Sequence, residues 1–294
     1  MQSLIAQLAA TFPLSGLRFE LGRGGLVKAV VRTGLAEGEV YLYGAHVTHF
    51  QPLGESPVLW ISDKSIFESG KPIRGGVPIC FPWFGAHRSD AAAPLHGRAR
   101  IRHWNLIAAQ ASDDGAISLT FRTSIDDFVL TYRVSFGRAL TISLRVALGE
   151  RAPGSVSFEE ALHTYYSIAE IRRVLIEGLE SARYIDKVDG EKQKPATHES
   201  IQFDGECDRI YLGTTATCVL HDLAMGRSIE IRKSNSQCTV VWNPWVEKSA
   251  AMPDFGDDEW RSMVCIETAN VGPHAITLWP GDAHVMTAEI GVIR

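Results

Sequence analysis

Apolar and polar positions alternate most clearly in the middle of the chain, where Phe128, Leu130, Tyr132, Val134 and Phe136 are separated by Val129, Thr131, Arg133 and Ser135. A period of two puts every second side chain on one face, so this run predicts a half-buried strand. After Gly137 the pattern resumes, with Leu140, Ile142, Leu144 and Val146 against Thr141, Ser143, Arg145 and Ala147, and the two runs read as an antiparallel hairpin. Ile117, Leu119 and Phe121 supply a preceding strand after the Asp114-Gly115 turn. Similar short runs occur at 26–32, 39–43, 58–61, 216–222, 227–232, 239–242, 263–268, 275–279 and 285–290. Helix is scarce: only the N-terminal stretch, with Leu4, Ile5 and Leu8 at helical spacing, qualifies. Many short strands with Gly, Pro, Asn and Asp between them predict an all-β fold, a large antiparallel β-sandwich or barrel.

No βαβ alternation, internal repeat or Ser/Pro-rich linker divides the chain, so 1–294 reads as a single domain with 1–24 as an N-terminal extension. The least patterned stretches, 68–102, 186–208 and 243–261, hold polar and aromatic residues and are expected to be loops over a binding face. The 294 residues are 45% hydrophobic and 21% charged, which excludes a disordered chain. A net charge of -5 argues against a nucleic-acid partner and leaves a small anionic ligand open. The opening MQSLIAQLAATFPLSG lacks the basic start of a secretory signal, and no apolar run approaches the roughly 20 residues of a membrane span. The expectation is a cytoplasmic protein without a membrane partner. Its oligomeric state is not set by the pattern, a monomer being the default. Cys80, Cys207, Cys218, Cys238 and Cys265 show no CxxC spacing and are expected to be reduced thiols, mostly buried in strands.

Several segments could carry chemistry. KPIRGGVPICFPWFG, residues 71–85, joins a Gly pair to stiffening prolines, so Arg74 could be held rigidly toward a ligand or could be a solvated Arg on a surface turn. In LHGRARIRHW, His96 is followed by Arg98, Arg100 and Arg102 two apart, which share one face if the segment is extended. Arginine suits phosphate or carboxylate because its planar fork donates two parallel hydrogen bonds, although a run of arginines also makes an ordinary solvated strand face. In ALHTYYSI, alternation places His163 and Tyr165 together, opposite Leu162, Thr164 and Tyr166. Glu267 follows the apolar run 263–266, where a carboxylate needs a partner or a functional reason. Trp83, Trp242 and Trp245 offer flat faces to a sugar ring or are simply core, with Lys248 a nearby cation. No P-loop, dinucleotide fingerprint, GxSxG elbow or HExxH occurs, and the histidines follow no metal-ligand spacing.

Taken in order, KPIRGGVPICFPWFG, LHGRARIRHW, LHTYYSI, the DRIY of 208–211, VVWNPWVEK and CIETANV resemble the glucose-6-phosphate 1-epimerases, hexose-6-phosphate mutarotases of the galactose-mutarotase-like superfamily. The resemblance runs from about residue 25 to 290. It implies a large antiparallel β-sandwich with a carbohydrate cleft on one face. The implied activity is the interconversion of α and β anomers of an aldohexose 6-phosphate, without cofactor or metal. It further implies Glu267 as base and His163 as acid, on opposite sides of the hemiacetal. Unperturbed pKa values of about 4.3 and 6.5 would let Glu267 be ionised while His163 is protonated. His96 and Asp208 would contact sugar oxygens, and Arg74 and Arg100 would bind substrate and phosphate. Lys71 and Lys248 are weaker candidates, and Arg98 stands where the family's pattern has an uncharged residue. The competing readings are an aldose 1-epimerase acting on free galactose or glucose, which needs no phosphate clamp, and a non-catalytic carbohydrate-binding sandwich. Whether Arg98 or Arg100 reaches the pocket is the feature expected to separate the two substrate classes.

Overall fold

The computed structural model of the chain describes residues 2–293. Strands Phe128–Phe136 and Ala139–Leu148 form the expected hairpin, Phe136 pairing with Leu140 and Val134 with Ile142. Every apolar residue at the alternating positions, from Phe128 to Phe136 and from Leu140 to Leu148, is buried. Removing such side chains from water contributes about 1.5–3 kcal/mol each, and that gain fixes the register, because a one-residue slip would expose the whole set. The hairpin is the middle of an eight-stranded antiparallel sheet, whose other strands are Ile117–Ile125 and Asn105–Ala111 on one side. On the other side lie Ala283–Ile293, Arg227–Ser234, Cys218–Asp222 and Val174–Glu177.

A second eight-stranded sheet packs against it and carries the longest wholly buried strand, Met263–Asn270. Cys238–Asn243, Cys207–Leu212, Tyr184–Asp186 and Lys192–Lys194 extend this sheet on one flank. On the other flank the short strands Glu160–Leu162 and Tyr165–Ser167 both pair with Met263–Asn270, and Ile79–Cys80 pairs with Glu160–Leu162. A four-stranded sheet of Leu17–Leu21, Val27–Arg32, Ala36–Tyr41 and His46–Pro52 completes the sandwich, so pairing begins within the stretch expected to be an extension. One apolar cluster runs through these three sheets, from Phe19 and Val31 through Tyr132 and Ile142 to Tyr165 and Ile266, beside a further two-stranded sheet of Val156–Phe158 and Ile276–Leu278.

Helix Gln2–Thr11 matches the N-terminal expectation. Helix Trp245–Ala251 lies in a stretch read only as loop. Residues 58–61 make isolated bridges, Leu59 to Tyr166 and Ile61 to Gly75, rather than a strand. The larger correction concerns the arginines: Ala99–Ile101 is a 3-10 turn, so Arg98, Arg100 and Arg102 do not share an extended face. Arg100 is buried while Arg102 is exposed. All five cysteines are free, buried and in strands. Among the described residues no helix is long and apolar enough to cross a membrane.

Candidate active site

The register of the second sheet assembles the site. Leu162 pairs with Thr268 and Tyr165 with Cys265, which sets His163 opposite Glu267 at the break between the two short strands. The break is stabilised locally, Thr164 N donating to Leu162 O at 2.9 Å and His163 N to Pro78 O at 3.0 Å. Trp242 pairs with Cys265 and with Asp208 on its other side. Because side chains alternate, His163, Tyr165, Glu267, Trp242 and Asp208 all project from one face of the sheet.

They meet in a cavity of about 310 Å³ lined by Arg74, Phe84, Leu95, His96, His163, Lys187, Asp208, Trp242, Lys248, Ala251, Met252 and Glu267. That volume is at the lower end of ordinary small-molecule sites. Its wall comes from all three stretches expected to be binding loops, together with the sheet beneath them.

His163 Nε2 lies 3.2 Å from Glu267 Oε1. The imidazole stacks on Tyr165, centroids 4.9 Å apart, and meets His96 and Trp242 edge-on. Glu267 is 1% exposed, and its Oε2 has no hydrogen-bond partner among the described residues. Burial pushes the Glu267 carboxyl well above the usual carboxylate range, Asp208 adding to the rise while Lys187 and Arg100 oppose it. Burial also holds His163 well below the usual imidazole range, helped by the Arg100 and Arg74 cations. Burial thus disfavours charge on both groups and favours a protonated carboxyl beside a neutral imidazole, the reverse of the charge distribution expected from unperturbed values. The two groups also touch directly, instead of facing each other across the width of a sugar.

Arg74 enters on the loop before Ile79–Cys80. Gly75, at φ +113°, lies so close to the backbone of Trp60 and Ile61 that a Cβ would fall 2.4 Å from Trp60 O, and Gly76 is equally tight against Val47 O at 2.1 Å. Only glycine fits there, which anchors the arginine's backbone. Its guanidinium donates from Nε and Nη2 to Asp254 at 3.2 Å each and from Nη1 to Tyr165 Oη at 3.0 Å. Burial works against its charge, but Tyr165 and Asp254 more than offset it and raise its pKa above the ordinary value. A continuous contact therefore runs from Asp254 through Arg74 and Tyr165 to the His163 ring.

His96, at φ +60°, accepts from Gly85 N at Nδ1 over 3.3 Å, which leaves Nε2 to carry the proton. Asp208 is mostly enclosed; burial raises its pKa, and Lys187 and Lys248 pull it back. Lys248 is paired with Glu206 at 2.7 Å and lies 3.9 Å from Asp208.

Several candidate residues lie outside the cavity. Arg100 lies beneath the wall, Nη2 donating to Leu95 O at 2.7 Å, and does not line the cavity. Arg98 turns the other way, pairing with Asp126 and lying over Trp83 in a separate hollow of about 460 Å³. Lys71 is also outside the cavity. Of the three tryptophans, only Trp242 reaches it: Trp83 lines the separate hollow, and Trp245 packs on Trp260 at 4.4 Å. Asp254 and Lys187 were missed, because polar residues in unpatterned loops give no periodic signal. Tyr165 was legible only as a residue sharing a face with His163.

The large antiparallel sheets have the galactose mutarotase-like fold, as in a protein of that description from Clostridium acetobutylicum that superposes with a TM-score of 0.67 at 12% identity, covering 95% of this chain and 98% of that one. The sequence pattern of the aldose 1-epimerase family matches residues 30–290, and the chain belongs to that family. A protein of Salmonella typhimurium provisionally named glucose-6-phosphate 1-epimerase is 36% identical over 236 residues, 77% of each chain. Another of that provisional name, from Cenchrus ciliaris, is 33% identical over 276 residues, covering 88% of this chain and 82% of its own. The crystal structure of a provisionally named mutarotase from Salmonella typhimurium superposes with a TM-score of 0.86 at 30% identity, covering 99% of both chains.

Proposed function

We propose that the chain, working as one mutarotase-like domain, interconverts the α and β anomers of an aldohexose 6-phosphate, with glucose 6-phosphate the first substrate to test. The observation that carries this reading is the buried His163–Glu267 pair, 3.2 Å apart on the wall of a sugar-sized cavity. The provisional names of the relatives support the phosphorylated substrate.

Opening a hemiacetal ring takes the proton from the C1 hydroxyl and delivers one to the ring oxygen, breaking the C1–O5 bond. The aldehyde then rotates about C1–C2, and the two proton transfers run backward as the ring closes on the other face. Both oxygens are bonded to C1, so an acid and a base in contact with each other can serve them together. What the chemistry requires is a single proton held by the pair, not a particular owner. Carboxyl plus neutral imidazole and carboxylate plus imidazolium contain the same number of protons. The base of the opening step is the acid of the closing step, so each residue serves in both roles. Tyr165, stacked on the imidazole and tied to Arg74, fixes the ring's plane; His96 Nε2 and Asp208 offer a donor and an acceptor to sugar hydroxyls, and Trp242 offers an apolar face.

NMR magnetisation exchange at anomeric equilibrium tests the reading, with glucose 6-phosphate, glucose and galactose in parallel samples. The expected result is faster exchange for the phosphate ester. Acceleration of the free sugars alone would make the protein a free-aldose mutarotase, and no acceleration of any sugar would leave a binding protein.

A further inference from the structure

Of the two arginines expected to bind substrate and phosphate, Arg74 lines the cavity and Arg100 does not, so the cavity's cations have to be reconsidered. Three line the wall: Arg74, Lys187 and Lys248. Arg74 is committed to Asp254 and Tyr165, and Lys248 to Glu206. Lys187 Nζ has no carboxylate or hydrogen-bond partner among the described residues, and the Phe84 ring lies 5.8 Å from Nζ to centroid. The half-buried Lys187 is also held in place by its backbone. It follows strand Tyr184–Asp186, its N–H donates to Asp208 O at 2.9 Å, and the Asp186 carboxylate accepts from Val188 N and Asp189 N at 3.2 Å each, closing the turn beyond it. Lys187 thus stands on the cavity wall with two carboxylates lining the same cavity, Asp208 on the adjacent strand and Glu267 farther across the sheet, and its Nζ is in hydrogen-bond contact with neither.

We propose that Lys187 is the specificity-determining residue that selects a phosphorylated sugar, its ammonium binding the 6-phosphate while the His163–Glu267 pair acts at C1. The assignment rests on the mutarotase reading of the cavity. A lysine is a point charge with rotatable donors, suited to a phosphate, and its stem can follow the group as the ring opens. A free aldose has no use for it.

The test compares wild type with Lys187→Met and Lys187→Arg on glucose 6-phosphate, with glucose as a competitive inhibitor. Losing a charged hydrogen bond predicts a KM higher by about tenfold or more in Lys187→Met. In the same variant the inhibition constant of glucose stays near wild type, and Lys187→Arg recovers most of the KM. An unchanged KM, or a loss shared equally by glucose, overturns the assignment. Binding of inorganic phosphate, followed by calorimetry on the same proteins, separates the two claims. Wild type that binds phosphate through Lys187 but leaves glucose 6-phosphate anomerisation unaccelerated would refute the mutarotase reading while retaining the anion site. Phosphate binding that is the same in Lys187→Met would refute the lysine alone.

Discussion

Replacing Glu267 with Gln should separate activity from stability in a way few substitutions do. The side chain keeps its size at a position 1% exposed, so packing is preserved. What is lost is the titratable oxygen pair beside His163, and with it acid–base catalysis, typically worth about 10²- to 10⁴-fold in turnover. Stability should move the other way. Burial lifts the native carboxyl well above the unfolded value of about 4.3, so over the interval between the two the native state holds a proton that the unfolded state has released. Stability of the wild type therefore falls as pH rises through that interval, by up to about 1.4 kcal/mol per pH unit. The amide has no such titration. The advantage of Glu267→Gln over wild type should accordingly be least near pH 4 and grow on going to neutral pH. In a chain of 294 residues each kcal/mol is about 2 °C in Tm. The assay is a pair of thermal melts at a series of pH values, run beside anomer-exchange rates. A variant within tenfold of wild-type turnover would refute the catalytic role. A stability difference that shrinks as pH rises would refute the electrostatic account of the pair.

Two further outcomes follow from the surrounding contacts. Asp254→Asn leaves the Arg74 guanidinium without its carboxylate and should lower stability by about 1–3 kcal/mol, with a parallel fall in turnover as Tyr165 and the His163 ring lose their support; melts and exchange rates indistinguishable from wild type would contradict it. The cysteine thiols should resist an aromatic disulfide reagent in the native protein and react fully once it is denatured, since burial pushes Cys207 up to about 12 and Cys218 up to about 11; stoichiometric labelling of the folded protein would contradict that.

The parts of this molecule that could be read from sequence are those where one period dominates. The hairpin 128–148 announces itself because every second side chain is buried against the opposite sheet. The site is harder. His163 and Glu267 are 104 positions apart, and only the pairing register brings them together, so their partnership came from family resemblance and not from spacing. The strands on either side of His163 are three residues each, too short for a periodic signal. Helix Trp245–Ala251 has seven residues, under two turns, and was invisible for the same reason. Arg98 and Arg100 misled because two-residue spacing means a shared face only in extended chain, and the turn Ala99–Ile101 sends them to different sides of the wall. Lys187 and Asp254 reach the site through position alone. Each sits in a loop tied to a distant segment, Lys187 by a backbone hydrogen bond to Asp208 and Asp254 by its side-chain ion pair with Arg74.

The central claim is that His163 and Glu267 act as one unit sharing one proton. A double-mutant cycle on anomer exchange of glucose 6-phosphate addresses it most directly, using His163→Ala, Glu267→Gln and the combination. If the pair works as a unit, either single change removes nearly the whole acceleration and the double variant is no slower than the worse single one. Losses that multiply in the double variant would show two independent contributions and contradict the account.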